Sequence, residues 1–183
     1  MKYQKTILLK DGRSCVIRNG TEADGLAVFE CFNKTHGETD FLMSYPEENS
    51  MNAEEEGKFI KEKTESEDEI ELVAEVDGKI IGSAGFEKVG PKYKTKHRAE
   101  FGISVEKDFW GLGIGRALIN ACIELAQKAG YTQLELDVVA QNERAVSLYK
   151  SVGFIEYGRN PRGFNSRSSG YQEVVLMRRE LNS

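Results

Sequence analysis

The chain has 183 residues, with 25 Lys plus Arg against 30 Asp plus Glu and a formal net charge of −5 at pH 7. This length suits a single domain over residues 1–183, and 39% hydrophobic with 30% charged residues excludes the disordered and fibrous classes. The acidic balance argues against a nucleic-acid-binding surface. No apolar run exceeds four residues, far short of the roughly 20 that span a bilayer, and the N-terminus lacks a secretory h-region. A cytoplasmic protein with no membrane partner is therefore expected. Cys15, Cys31 and Cys122 are odd in number and widely spaced, which fits a reducing compartment, and with His36 and His97 as the two histidines no metal site is expected.

Residues 15–18 read as a strand, and Thr21 followed three positions later by Asp24 has the pattern of a helix start. Leu26, Phe29 and Phe32 are expected to line one face of that helix. Residues 53–69 carry eight acidic and three basic residues with Phe59 and Ile60 as large apolar anchors, which predicts a solvated helix. Residues 71–76 and 79–86 flank Asp77-Gly78, a dipeptide suited to the positive φ angles of a tight hairpin. A basic loop over 90–96 leads to residues 98–105, where Ala99, Phe101, Ile103 and Val105 alternate with Glu100, Gly102 and Ser104.

Next comes Trp110-Gly111-Leu112-Gly113-Ile114-Gly115-Arg116, followed by apolar residues at helical spacing as far as Ala129, with Gly130 as the stop. Residues 134–139 read as a strand. Asn142 is placed to cap a helix running to about Val152, with Gly153 as its C-terminal glycine. Residues 154–157 and 171–178 would be two final strands, separated by an arginine-rich loop over 159–167.

Strand, glycine-rich turn and helix together suit an anionic phosphate. The first helical amides lack intrahelical partners, the macrodipole adds partial positive charge, and Arg116 adds a full one. A dinucleotide is one candidate ligand, because Glu135 and Asp137 on the following strand stand where a ribose-binding carboxylate belongs. The spacing Gly-x-Gly-x-Gly-Arg, however, lacks the third fingerprint glycine. A Walker loop is excluded by the missing Gly-Lys-Ser/Thr, and a purely structural turn is the remaining alternative.

From about Ser14 to Leu181 the sequence resembles the GCN5-related N-acetyltransferase (GNAT) family. Residues 110–115 look like its cofactor signature, with Trp110 where Arg or Gln is usual, and residues 142–154 look like its second signature. The resemblance implies an α/β (α+β) fold: a mixed, mostly antiparallel sheet with splayed central parallel strands, 101–105 and 134–139, and flanking helices. Acetyl-CoA would enter the gap as co-substrate. Its pantetheine would pair with the backbone of Ile103, Ser104 and Val105, and the amides of Gly111, Leu112, Gly113, Ile114, Gly115 and Arg116 would hold its pyrophosphate. Asn142 would touch the cofactor from the next helix, or act as a plain N-cap. A homodimer is compatible with the family.

Transfer to an amine requires the neutral amine, yet a lysine-like amine titrates near about 10.4, so a base is needed. Glu100 is the first candidate, lying opposite Phe101 and Ile103 on the presumed cofactor strand, and Asp137 is its competitor. By the same resemblance Tyr149 would stand beside the CoA sulfur. A phenol near about 10 donating fully to a thiolate near about 8.5 is uphill, so its role is first that of a hydrogen-bond donor. Cys122 is expected in the core and His97 at the surface. The acceptor expected is a small-molecule amine or amino acid, with 36–46 and 159–169 lining its pocket. A protein or peptide acceptor and a non-catalytic CoA-binding regulatory module are the alternatives.

Overall fold

The computed structural model describes residues 1–181. Eight strands form one sheet: β1 (Gln4–Leu8), β2 (Ser14–Asn19), β3 (Ile70–Val76), β4 (Lys79–Lys88), β5 (Arg98–Val105), β6 (Gln133–Val139), β7 (Ile155–Ser166) and β8 (Gly170–Glu180). Their order is β1-β2-β3-β4-β5-β6-β8-β7. Every neighbouring pair is antiparallel except β5 and β6, which run parallel. Asp77 and Gly78 turn the β3–β4 hairpin with φ of 51° and 78°, the positive values such a tight turn needs.

The β5–β6 ladder is short. It pairs Arg98 with Gln133, Ala99 with Leu134 and Glu100 with Glu135, and beyond Glu100 the strands part. Helices α1 (Gly25–Glu38), α2 (Ala53–Glu65), α3 (Ile114–Lys128) and α4 (Glu143–Ser151) flank the sheet. Alternation along the strands sorts side chains into two layers. Leu72, Ala84, Phe101, Leu134 and Leu136 pack in the main core with Leu118, Cys122 and Leu125 of α3. On the opposite face Val73 and Ile80 pack with Val28 and Cys31 of α1 and Ile60 of α2.

Three expectations need correction. Leu26 is 58% exposed, and α1 buries Val28, Cys31 and Thr35 instead. The Thr21–Asp24 box closes a 3-10 turn over Glu22–Asp24, and α1 begins only at Gly25, which rotates the apolar stripe. The acidic helix α2 is not solvated all round, because Glu56, Gly57, Ile60 and Lys63 are buried at i, i+1, i+4 and i+7. Residues 159–167 are not a loop: β7 runs through them to Ser166, with register shifts between Glu156 and Gly158 and between Asn160 and Phe164. Pro161 sits inside the second irregularity on an edge strand, where a missing amide donor is tolerated and the strand's alternation is hidden.

Candidate active site

Where β5 and β6 part, a cavity of about 1070 Å3 opens. Its wall includes Glu100, Ile103, Ser104 and Val105 of β5, Gly111, Gly113, Gly115 and Arg116 of the glycine turn, Asp137 of β6, and Asn142 and Tyr149 at α4. These residues, from four separate stretches of chain, are thus brought to one space. Leu112 and Ile114 lie within the same turn, but Ile114 turns its side chain into the core.

The turn has the geometry that phosphate binding requires. Gly113 is the N-cap of α3 with φ 105°, and Gly111 has φ 82°, so the chain passes through left-handed backbone that L side chains rarely adopt. No side-chain cap engages the first amides of α3. Trp110, the departure from the usual signature, donates its indole Nε1–H to the Val105 carbonyl at 2.6 Å, and the Arg144 guanidinium lies 5.2 Å from its ring centroid. The tryptophan pins the turn to the end of β5, and the Val105 carbonyl is already engaged. Arg116 donates to Ser151 at 2.9 Å, which holds it at the mouth. Asn142 accepts from the Ala145 amide at 3.2 Å through Oδ1, so it is an N-cap of α4 as well as a wall residue.

Across the sheet, Glu100 is paired with Glu135 on β6 and with Glu87 on β4. Burial and the neighbouring Asp137, Glu87 and Glu135 raise the Glu100 carboxyl above the usual carboxylate range. Asp137 is raised too, by burial and by Glu135. Glu135 itself is lowered by the hydrogen bonds it accepts from the Arg98 guanidinium. Tyr149 is 8% exposed and packs edge-on against Phe101 with ring centroids 6.4 Å apart. Burial alone raises its phenol, which therefore stays protonated at neutral pH.

The far end of the cavity is roofed by residues 39–51. Asp40 accepts hydrogen bonds from the hydroxyls of Ser166, Ser168 and Ser169, at 2.8 Å from Ser169, and its carbonyl accepts from Gln172 at 3.0 Å. The Tyr45 hydroxyl accepts from the Arg167 amide at 2.8 Å. His36, Phe41 and Met43 of the expected 36–46 lining face the cavity, whereas of 159–169 only Phe164 does so. His36 stacks on Phe32 at 3.6 Å, and burial lowers its pKa. His97 is exposed and Cys122 is buried.

Among the wall residues that sequence reasoning missed are Glu56 and Glu71. Glu56 lies one turn before Ile60 on the buried stripe of α2, a spacing that was readable, but the surrounding charges masked it. Glu71 is one of two acids, with Glu75, in the otherwise apolar strand β3. Burial above all, with repulsion from Glu56 and Glu87, raises its carboxyl to about 7 against the opposing Ser83 hydroxyl and Lys63.

The family model described as Acetyltransferase (GNAT) family matches residues 33–154. An acetyltransferase of that family from Streptococcus pneumoniae superposes with a TM-score of 0.86 at 28% identity, covering 91% of this chain and 99% of that one. The Salmonella typhimurium protein yncA, solved with its cofactor acetyl-CoA, has the same fold, with a TM-score of 0.80 at 20% identity over 92% of this chain and 95% of that one. The ribosomal protein bS18 alanine N-acetyltransferase of Escherichia coli strain K12 is 35% identical over 77 residues, 42% of this chain and 51% of the relative. The chain spans about half or less of the length of the curated relatives it matches.

Proposed function

The chain belongs to the acetyltransferase (GNAT) family, and we propose that it transfers an acetyl group from acetyl-CoA directly to a primary amine on a small molecule or amino acid. The observation that carries this reading is the convergence of a phosphate-type glycine turn, a parting pair of parallel strands, two raised carboxylates and a protonated tyrosine on one cavity.

The residues present fit acetyl-CoA, which supplies the activated acetyl group. The free amides of Gly111, Leu112, Gly113, Ile114, Gly115 and Arg116 and the positive end of α3 suit its phosphates, and the Arg116 guanidinium adds charge. Beyond Glu100 the β6-facing edge of β5 has no ladder partner, so Ile103 offers its backbone groups to the pantetheine and Val105 its amide; Ser104, expected to share in this, turns its backbone groups toward β4 instead. Asn142 keeps its amide NH2 for the cofactor while Oδ1 caps α4.

Glu100 accepts the proton of the acceptor ammonium, with Asp137 as the second carboxylate in reach of the same region. A raised carboxyl is a better match to that task than an ordinary one. Tyr149 donates a hydrogen bond to the departing CoA sulfur from the opposite side of the gap. A reducing cytoplasmic setting suits the three free, buried cysteines.

Acetylation of a protein N-terminus is the second reading, favoured by the likeness to the ribosomal-protein alanine acetyltransferase. A non-catalytic CoA-binding module is the reading from another class. Thiol release from acetyl-CoA against amino acids, amines, aminoglycosides and short peptides, alongside calorimetric titration of CoA and NADH, separates them. Acceptor-dependent release with small amines is expected. Release with peptides alone favours the second reading, tight CoA binding without any turnover favours the module, and NADH binding without CoA binding overturns the assignment of the turn.

A further inference from the structure

The cavity is electrically divided along its length. Lys10, Arg116 and Arg144 line it at the glycine-turn end, whereas Glu56, Glu71, Glu100 and Asp137, with Glu87 beside them, line it toward α1 and α2. Lys63 also reaches the acidic end, but its ammonium lies 2.8 Å from Glu69 and 3.0 Å from Glu87 and rests over the Phe59 ring, so its charge is already matched. His36, the other basic group there, is pushed toward its neutral form by burial.

Glu56 is the sharpest of these signs. Its side chain lines the cavity and is only 5% exposed, yet it has no hydrogen bond and no ion pair among the described residues. Burying a carboxylate without a partner is costly, and α2 could have placed any apolar residue at that position. Glu71 lies beside it. The Glu71 carboxylate crosses the strand surface at Gly85, where a Cβ would stand 2.3 Å from Oε2, and only a glycine permits that approach. Glu71, Gly85 and Gly102 form one register row across β3, β4 and β5. From strand and residue spacings, the Glu71 backbone is about 12 Å from that of Glu100 at the other corner of this floor. The floor between them carries no side chain at Gly85 or Gly102, and Phe32 and Phe59 supply apolar wall.

We propose that the acceptor is a dication, an aliphatic diamine or polyamine whose reacting amine meets Glu100 and Asp137 while a second ammonium is held by Glu71 and Glu56. This deepens the transferase reading and rests on it. The bare floor and aromatic walls take the methylene chain, and an amino acid is disfavoured because its carboxylate would enter a field of four carboxylates. Burial raises the carboxyls of both Glu56 and Glu71, and neither has an ion pair among the described residues.

The test compares 1,4-diaminobutane and spermidine with butylamine and with alanine, both in acetyl-CoA turnover and in calorimetric binding to the CoA-loaded protein. The wild type, Glu71→Gln and Glu56→Gln are used, and CoA titration checks that each variant is folded. A kcat/KM at least tenfold higher for diamines than for butylamine is expected. That ratio should collapse in Glu71→Gln and Glu56→Gln chiefly through KM. Turnover that is equal for mono- and diamines, or best with alanine, overturns the dication site and leaves the transferase reading standing. Selective diamine binding, lost in both variants, with no turnover of any acceptor supports the dication site and overturns the transferase reading. Neither binding nor turnover of any amine overturns both.

Discussion

Glu100 occupies the last register pair before β5 and β6 part, and Asp137 lies two positions past its partner on β6, so the two carboxylates share one face at the fork. Desolvation first and like charge second separate them from ordinary surface acids: Asp137, Glu87 and Glu135 add to the cost of ionising Glu100, and Glu135 adds to that of Asp137. A base must be ionised to work, and a raised carboxyl ionises later. Activity is therefore expected to fall with acidification at a pH above the usual carboxylate range, along a limb of kcat/KM that titrates with Glu100. Glu100→Gln should lower kcat by roughly 100-fold and remove that limb, as loss of a general base does. A limb that survives intact in Glu100→Gln assigns the base to Asp137. Tyr149→Phe keeps the ring packing against Phe101 and removes only the hydroxyl. A loss of about tenfold or more in kcat is expected, and an unchanged kcat would make Tyr149 a packing residue.

The element that most constrains the cofactor end is the turn between β5 and α3. Its positive φ at Gly113 charges any L side chain about 1–3 kcal/mol of strain, and relaxing that strain would move the amides of α3. No heavy atom stands within 4 Å of a Cβ built there, so Gly113→Ala tests backbone geometry without a clash. It should weaken CoA binding by about tenfold or more in calorimetric titration. An unaltered affinity would detach the turn from the cofactor. At the acceptor end the chain relies on a different device: an irregular roof held by Asp40 beneath three serine hydroxyls, which ties residues 39–51 to the β7–β8 turn.

At the scale of the whole molecule, one buried carboxylate binds the α1 side to the sheet. Glu106 is 1% exposed, and it accepts from Lys34 of α1 at 2.6 Å and from Lys79 of β4 at 2.7 Å. Burial pushes its carboxyl up, but the two ammonium groups outweigh this and leave it below the usual glutamate value. The stabilisation it provides is therefore complete above the unfolded-state pKa and is lost as the pH falls through the folded one. Glu106→Gln should cost about 1.5–3 kcal/mol in urea unfolding at neutral pH, the range for hydrogen bonds to charged groups. The gap to wild type should narrow on acidification. A pH-independent gap would assign the effect to packing.

The sequence by itself determined whatever depends on neighbours along the chain. The Asp77-Gly78 hairpin, the alternation of 98–105, the glycine turn and the Asn142 cap are local choices of backbone conformation, and residues within a few positions of one another encode them. The resemblance carried by the two signatures likewise named the fold and the candidates Glu100, Asp137 and Tyr149. Contacts across the sheet were beyond its reach. That α2 buries Glu56 and Lys63, that β7 continues through Pro161, and that Glu71 crosses Gly85 all depend on residues far apart in sequence. Tertiary structure also decided that Tyr149, from the α3–α4 side, and Glu100, from the α1–α2 side, line one cavity. They meet because β5 and β6 stop pairing after Glu100, and where two strands part is fixed by packing on both faces of the sheet, which no local pattern records.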